Sequence, residues 1–554
     1  MRRLRLLILL AVVAIGVGAY LQTRDIADQD RVGAPAEPPY LTLFLVDGFA
    51  PEVFQKALAA GRMPNLAKLI DGGVYVPQGV CAFPSMTAFG FYGFLTGRDA
   101  PTGGPLGLRW FDRTKHRGPF RRYVGRTNGL LNEDMITTER TLFEKFAPEH
   151  SFSLNSYANR GVWTSKKTGG LFTMTKYKDH WWVAKLVNAI GPLRERFGPG
   201  WVEVERRVIQ MAIDDLPHRP KIQWVTLVSP DTYGHVYGLT DEYEELLVSI
   251  DGLIGDYVAA AAAADGGAPR YYAVVGDHGV ESVRRHFDPG EIFRRVGLDA
   301  FRGPATHLFE DELEDERASY DEHDAVVAIN GNLMAYVYVK APDAPAPWSR
   351  PPTYEELTHY ATPQGEIDLV ARYLAEEAIE HVITRRSDEV FEVASRRGVG
   401  LVTTSSAGFA YHVVSGEDPL GYVGDPVAGP LVESGPHSAR AWLEATQGTV
   451  YPHGVVRVAR LMLHPGAGDL VLTSAPDFDL APDFELFVGE YNGGHGGLRR
   501  SQILAPYIVS GPGIPKAQVD IATAEDIGAT LHVLLKAPLH EDAEGRSLLP
   551  ETAP

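Results

Sequence analysis

Leu41-Thr42-Leu43-Phe44-Leu45-Val46-Asp47-Gly48 is a nearly continuous apolar run that stops on a carboxylate and a glycine. A strand covered on both faces reads this way, whereas a strand with one wet face alternates polar and apolar residues. A helical pattern follows from Pro51 to Ala60, and Met63-Pro64-Asn65-Leu66 opens a second. Ile222 to Val228 is a similar run leading into Ser229-Pro230-Asp231. Tyr271 to Val275 leads into Gly276-Asp277-His278-Gly279, and Leu504 to Val509 into Ser510-Gly511-Pro512-Gly513. Helical stretches such as Thr240 to Ala264 lie between them. Buried strands alternating with helices predict an α/β fold, with a mainly parallel central sheet and helices on both faces. In such sheets ligands bind beyond the carboxyl ends of the strands. Asp47, Asp231 and Asp277 all stand there.

The 554 residues exceed one average domain. Two stretches interrupt the alternation: Arg109 to Trp201, rich in aromatic and basic residues, and Phe301 to Phe484, which is mixed. The second carries helix signals from Tyr354 to His381 and short strands such as Gly400 to Thr404. Both read as insertions, at about 109–201 and 301–484, in one domain spanning 40–554. Ahead of it, Met1-Arg2-Arg3-Leu4-Arg5 gives a basic flank to the apolar run Leu6 to Leu21. Residues 1–21 suit a signal peptide or membrane anchor, followed by a linker over 22–39 that is Pro-rich from Gly33. The expected location is periplasmic or on the extracytoplasmic face of a membrane.

A net charge of −19 argues against a nucleic-acid polymer as partner, because phosphate backbones attract basic surfaces. Cys81 is the single cysteine, so an intramolecular disulfide and thiolate metal clusters are both excluded. Metal chemistry would have to rest on Asp and His. Asp231-Thr232-Tyr233-Gly234-His235 sets a carboxylate and an imidazole four residues apart, and Asp277-His278 sets them side by side. His495 sits in Asn492-Gly493-Gly494-His495-Gly496-Gly497, where glycines let a loop come close to a ligand. Such shells suit zinc, with manganese or iron as alternatives. Taken singly, an Asp at a strand end is commonly a cap and a loop His a surface residue. Their joint occurrence at successive strand ends is what points to a site.

With these residues in place the chain resembles the alkaline phosphatase superfamily, in its nucleotide pyrophosphatase/phosphodiesterase branch. The family's Pro-Thr-x-Thr nucleophile segment, with Thr-Gly nine residues beyond, resembles Pro84-Ser85-Met86-Thr87 and Thr96-Gly97. Its Pro-Asp-x-x-Gly-His and Asp-His-Gly motifs resemble Pro230 to His235 and Asp277 to Gly279. The resemblance implies two divalent metal ions, zinc by preference. Asp231, His235 and His495 would hold one; Asp47, Asp277 and His278 would hold the other, which Thr87 also approaches. It further implies a phosphoric ester hydrolase working through a covalent phospho-Thr87. Ser85 is the rival hydroxyl, but the spacing to Thr96-Gly97 favours Thr87. Metal-activated hydroxyls are one route past the weakness of a threonine nucleophile.

The stretch Ser156 to Gly161, with Lys167 to Gly170, Trp182-Val183 and Asn188, is similar to bacterial phosphate-irrepressible alkaline phosphatases. Their phosphate-gripping Lys-x-Arg pair corresponds to Ala158 and Arg160, and their Gly-Asn-x-Trp to Gly107-Leu108-Arg109-Trp110. The diesterase branch has an Asn three residues after the nucleophile, where this chain has Gly90. Arg109 and Arg160 are therefore the expected substrate-binding donors. The weakened grip favours a phosphodiester or lipid-linked phosphate over a dianionic monoester. Phe89, Phe91, Tyr92 and Trp110 would line an apolar pocket or belong to the core. A phosphoryl or head-group transferase acting on lipid or glycan, and a non-catalytic binding protein on the same fold, are the alternatives. A sulfatase is disfavoured, because Phe83 and Ser85 follow Cys81 where Pro and Arg are required.

Overall fold

The computed structural model describes residues 26–123, 129–136, 138–168, 200–302, 316–481 and 491–550. The segment expected to be a signal peptide or anchor, 1–21, lies outside them, as do Gly169, Gly170, Trp182, Val183 and Asn188. In chain order the main strands are β1 (Ile26–Asp30), β2 (Tyr40–Val46), β3 (Gly73–Val80), β4 (Ser151–Leu154), β5 (Thr164–Lys167), β6 (Ile222–Leu227), β7 (Arg270–Val275) and β8 (Leu504–Ser510). They lie side by side as β1-β5-β4-β6-β2-β7-β8-β3, with the short strands Ala517–Gln518 and Ile521–Thr523 against β3. The middle of the sheet, β5 to β7, is parallel. Every residue of β2 is buried, and Leu43 sits between Trp224 of β6 and Ala273 of β7. That burial on both faces is what the unbroken apolar run encoded.

β8 departs from the parallel expectation: it runs antiparallel to both β7 and β3. The cause is its entry point. The segment before it reaches the sheet at the end where β7 stops, and Gly279 N–H donates to the Gln502 carbonyl there at 2.8 Å. β8 thus begins where its parallel neighbours finish. An apolar run carries no sign of direction, so sequence could not show this.

Helices α1 (Pro51–Ala59) and α2 (Pro64–Asp71) each start with a proline, whose missing N–H costs nothing in a first helical turn. They are followed by α3 (Phe91–Thr96), α4 (Trp201–Asp215), α5 (Ser229–Tyr237) and α6 (Asp241–Asp265). α6 is long and apolar enough to cross a bilayer, yet it packs against α1, α2, α4 and α5 and buries Tyr243, Leu246, Leu247 and Ile250. It is a core helix.

Much of the second insertion forms a further sheet. Its strands lie in the order Ala300–Arg302, Ala325–Asn330, Met334–Val339, Leu470–Ser474, Ile379–Ser387, Val390–Ala394, Gly398–Ser405 and Gly408–Gly416. Val326 and Ala328 face the main core while Val327 faces a smaller core with Ile292, Leu369 and Tyr373, the period-two alternation of a strand. The helix predicted from Tyr354 to His381 is instead two short helices, Tyr354–Thr358 and Leu369–Leu374, around a hairpin, Tyr360–Thr362 with Gly365–Ile367. Pro363 cannot continue a helix, and Gly365 adopts a φ of +114° that other residues avoid. Thr353 and Asp368 cap the two helices separately.

A buried charge cluster ties this part to the central sheet. Arg457, on α7 (Gly454–Leu463), lies 2.7 Å from Asp99 and 2.7 Å from Glu525, the latter on α8 (Ala524–Leu535). Burial alone would raise the Glu525 carboxyl; Arg457 outweighs it and holds the group well below the usual range. Deleting the shared cation takes from buried Glu525 its ion-pair partner and leaves buried Asp99 with the longer 3.2 Å contact to Arg460. Arg457→Ala is expected to lose about 3–5 kcal/mol, read from urea unfolding. A loss below about 1 kcal/mol would show that the cluster is not held by this residue.

Candidate active site

Three adjacent parallel strands deliver the acidic groups to one end of the sheet. β2 ends at Asp47, β7 is followed by Asp277-His278, and β6 runs into α5, whose first turn carries Asp231. His235 lies one turn on, so both side chains share a helix face. Gly48 makes this convergence feasible. Its φ is +66°, and a Cβ there would stand 2.7 Å from the Asp231 Cα. Thr87 comes from the turn between β3 and α3, and His495 from the glycine loop before β8.

The groups form two touching sets. In the first, Thr87 Oγ1 lies 3.2 Å from Asp47 Oδ1 and 3.2 Å from His278 Nε2. His278 Nε2 is also 3.3 Å from Asp47 Oδ1 and 3.6 Å from Asp277 Oδ2. In the second, Asp231 Oδ1 is 3.3 Å from both His235 Nε2 and His495 Nε2, which are themselves 3.1 Å apart. The rings of His278 and His495 stack across the boundary, 3.6 Å between centroids and 9° from parallel.

Backbone carbonyls fix all three imidazoles. Nδ1 of His235 donates to Gly493, that of His278 to Gly279 and that of His495 to Ser85, at 2.9, 2.9 and 2.8 Å. A carbonyl oxygen only accepts, so the proton of each neutral ring sits on Nδ1 and the Nε2 lone pair faces inward. His235 and His495 then point lone pairs at each other, which is repulsive without a cation between them. Asp277 is fully buried, and among the described residues neither of its carboxylate oxygens has a hydrogen-bond partner. Burial, then the charge of Asp231, pushes Asp277 well above the ordinary carboxylate range; burial, Asp277 and Asp231 do the same to Asp47. Crowded carboxylates and inward lone pairs fit divalent cations as the missing partners.

A third cluster, His150, Asp215 and His218, is close enough for a metal but has the opposite wiring. The Gly33 N–H donates to His150 Nδ1 at 3.2 Å, so Nε2 carries the proton and gives it to Asp215 at 3.0 Å. Gln223 donates to the other Asp215 oxygen at 3.2 Å. That is a satisfied hydrogen-bond network with no inward lone pair to offer.

Residues 41–399 match the family of type I phosphodiesterases / nucleotide pyrophosphatases. The chain belongs to that family. It is a phosphoric ester hydrolase with an alkaline phosphatase-like α/β fold. Asp47, Thr87, Asp231, His235, Asp277 and His278 fall within the matched region, and the fold adds His495 from beyond it. Among solved structures the chain is similar to murine ectonucleotide pyrophosphatase / phosphodiesterase 5, at 10% identity and a TM-score of 0.48, covering 91% of this chain and 96% of that one. An inactive form of the same murine protein in complex with AMP matches at 10% identity and a TM-score of 0.47, with the same coverage. No curated protein matches the chain.

The remaining expected residues of this phosphodiesterase divide. Ser85 is fully buried; its hydroxyl donates to the Gly497 carbonyl at 2.9 Å and accepts from Gly496 at 3.1 Å, so it clasps the His495 loop. Arg160 gives its guanidinium to the carbonyls of Met135, Ile136 and Glu139 and lies 3.2 Å from Glu144, bonds that commit it to the insertion and not to Thr87. Arg109 begins a hairpin whose backbone N–H and C=O are both held by the Asn330 side chain at 2.9 Å. Phe89, Phe91, Tyr92 and Trp110 are all buried core, and the cavity beside Phe89 and Tyr92 is only about 10 Å³. That is room for about one water, not for an acyl chain. Gly90 has a packing reason: a Cβ would meet the Asp277 carbonyl at 2.9 Å and the Asp277 Cβ at 3.0 Å. An Asn there would displace a site carboxylate.

Two residues escaped sequence reading. Tyr157 is mostly buried just past β4, the parallel strand beside β6. Burial pushes its hydroxyl up to about 12, with Asp47 and Asp231 adding to the rise and Arg109 opposing it, so all three charges reach it. Its place past a parallel strand end was the available signal. Glu205 on α4 is fully buried, and burial pushes it up to about 7. Nothing in an amphipathic helix marks such a Glu out.

Proposed function

We propose that this phosphodiesterase cleaves a phosphodiester through a covalent phospho-Thr87, with zinc as the two divalent ions. One would be held by Asp231, His235 and His495, the other by Asp47, Asp277, His278 and the Thr87 oxygen. The observation that carries this reading is the inward Nε2 of His235, His278 and His495, each fixed by a carbonyl on Nδ1. When bound, the ions supply positive charge that favours the ionised Thr87 oxygen and the departing oxygen.

The chain's own groups do the rest. Thr87 Oγ1 is aimed by its contacts with Asp47 and His278 and is only 9% exposed, which limits competing water. A bond forms between Oγ1 and phosphorus as the bond from phosphorus to the first alcohol breaks. The proton lost from Oγ1 balances the one the departing alcohol takes up; water then displaces Thr87 from phosphorus, its oxygen joining the phosphomonoester product and one of its protons restoring the hydroxyl. The side chains of Leu108, Gly90 and Ala158 offer no polar donor to the phosphoryl oxygens, leaving buried Arg109 and the Tyr157 hydroxyl as candidates among the described residues. With so few donors among the described residues, the site is better matched to a singly charged diester than to a doubly charged monoester. Bis(p-nitrophenyl) phosphate should be turned over with a kcat/KM on the order of tenfold above p-nitrophenyl phosphate, about 1.4 kcal/mol of preference. Faster turnover of the monoester would overturn the diester assignment.

A further inference from the structure

α5 carries two of the proposed ligands yet has no side-chain cap of its own. Its first N–H groups must find acceptors elsewhere. Glu205, reaching across from α4, supplies one: its Oε1 accepts the Ser229 N–H at 2.6 Å, a short charge-assisted bond. Ser229 is the first residue of α5, and its hydroxyl donates back to the Trp201 carbonyl at 3.3 Å, so α4 and α5 are tied at both ends of this contact. Trp201 also packs edge-on against Tyr233, 6.1 Å between centroids, on the turn between Asp231 and His235. Glu205 itself is fully buried. Its charge reaches the site, where it is among the groups that raise Asp47. A buried carboxylate is costly to keep. Here it faces the positive end of the helix that presents Asp231 and His235.

We propose that Glu205 is a positioning residue for the Asp231–His235–His495 set, holding the first turn of α5 so that Asp231 and His235 present their ligand atoms together. It acts through the Ser229 N–H and touches neither substrate nor ligand atoms. The inference rests on the two-ion reading above.

The test titrates zinc into the metal-stripped protein by calorimetry, with elemental analysis of the loaded forms. Glu205→Ala should weaken one of two zinc sites by about 10–100-fold and leave the other within about threefold. Glu205→Gln keeps an acceptor oxygen for Ser229 and should restore both sites to within about threefold of wild type. Glu205→Asp keeps charge and burial but draws the carboxylate back by one methylene. It should weaken the same single site, and it serves if the alanine variant does not fold. Val208→Ala, a core truncation on the same helix, is expected to lower the melting temperature without changing either zinc affinity. Wild-type affinity at both sites in Glu205→Ala or Glu205→Asp overturns the positioning role. So does an equal weakening of both sites that Val208→Ala reproduces. A wild-type protein that binds fewer than two zinc ions instead removes the two-ion reading, and this inference with it.

Discussion

Thr87→Ala is expected to lose turnover by on the order of 10⁵-fold while still binding two zinc ions. Among the described residues the hydroxyl is the one nucleophile in contact with the first set, at 3.2 Å from Asp47 and from His278. Its removal leaves the six Asp and His groups in place, because their orientation comes from carbonyls and strand ends and not from Thr87. The neighbouring hydroxyl cannot stand in, since Ser85 is fully buried and bonded to Gly496 and Gly497. Ser85→Ala should instead act through the His495 loop, weakening zinc binding before chemistry. Quenching the wild-type enzyme in acid during turnover should trap phosphate on Thr87. A Thr87→Ala protein with near-normal activity would show that the nucleophile lies elsewhere.

Asp277→Asn should produce a crossing of stabilities. With metal present, losing this ligand costs one zinc ion and more than about 100-fold in activity, beyond what outer partners of a ligand usually contribute. Without metal the variant should be the more stable protein at pH 8, by about 1–3 kcal/mol, because wild type then buries a carboxylate whose charge no nearby cation offsets. The pH dependence follows from the raised Asp277 carboxyl. Its folded state holds a proton at pH values where the unfolded group, near 3.8, has already lost it. Wild-type stability from this group therefore falls as pH rises through the folded value and recovers on acidification. An Asn has no such term, so the gap should close as the pH is lowered towards 4. Thermal melts of chelated protein across that range decide it. A metal-free variant less stable than wild type at pH 8 would show that Asp277 already has a compensating partner.

The strand ends could be picked out from sequence because each follows an unbroken apolar run, and burial on both faces leaves that mark. Asp47, Asp231 and Asp277 were legible for that reason, and His235, His278 and His495 by their spacing and glycine context. The second sheet was legible only in part, at Gly400 to Thr404, which lies within the strand Gly398–Ser405. Its strands have one face in each of two cores, and their shorter alternating pattern beside Tyr354 and Leu369 resembles broken helix. Arg160 shows a different limit: a motif position does not reveal that nearby carbonyls will consume the guanidinium. Glu205 and Tyr157 act through contacts between segments far apart in the chain, which no local pattern encodes.

β8 lies between β7 and β3 in the middle of the sheet, although it begins only at residue 504. β3 therefore has no partner on that side until almost the whole chain has been made, and the same late segment brings His495. A growing chain can order β2, β6 and β7 and gather five of the six Asp and His groups while still short of a working centre. Non-local pairing of this kind is slow to form. The ligand set proposed for the two ions is thus completed only when the sheet itself is finished.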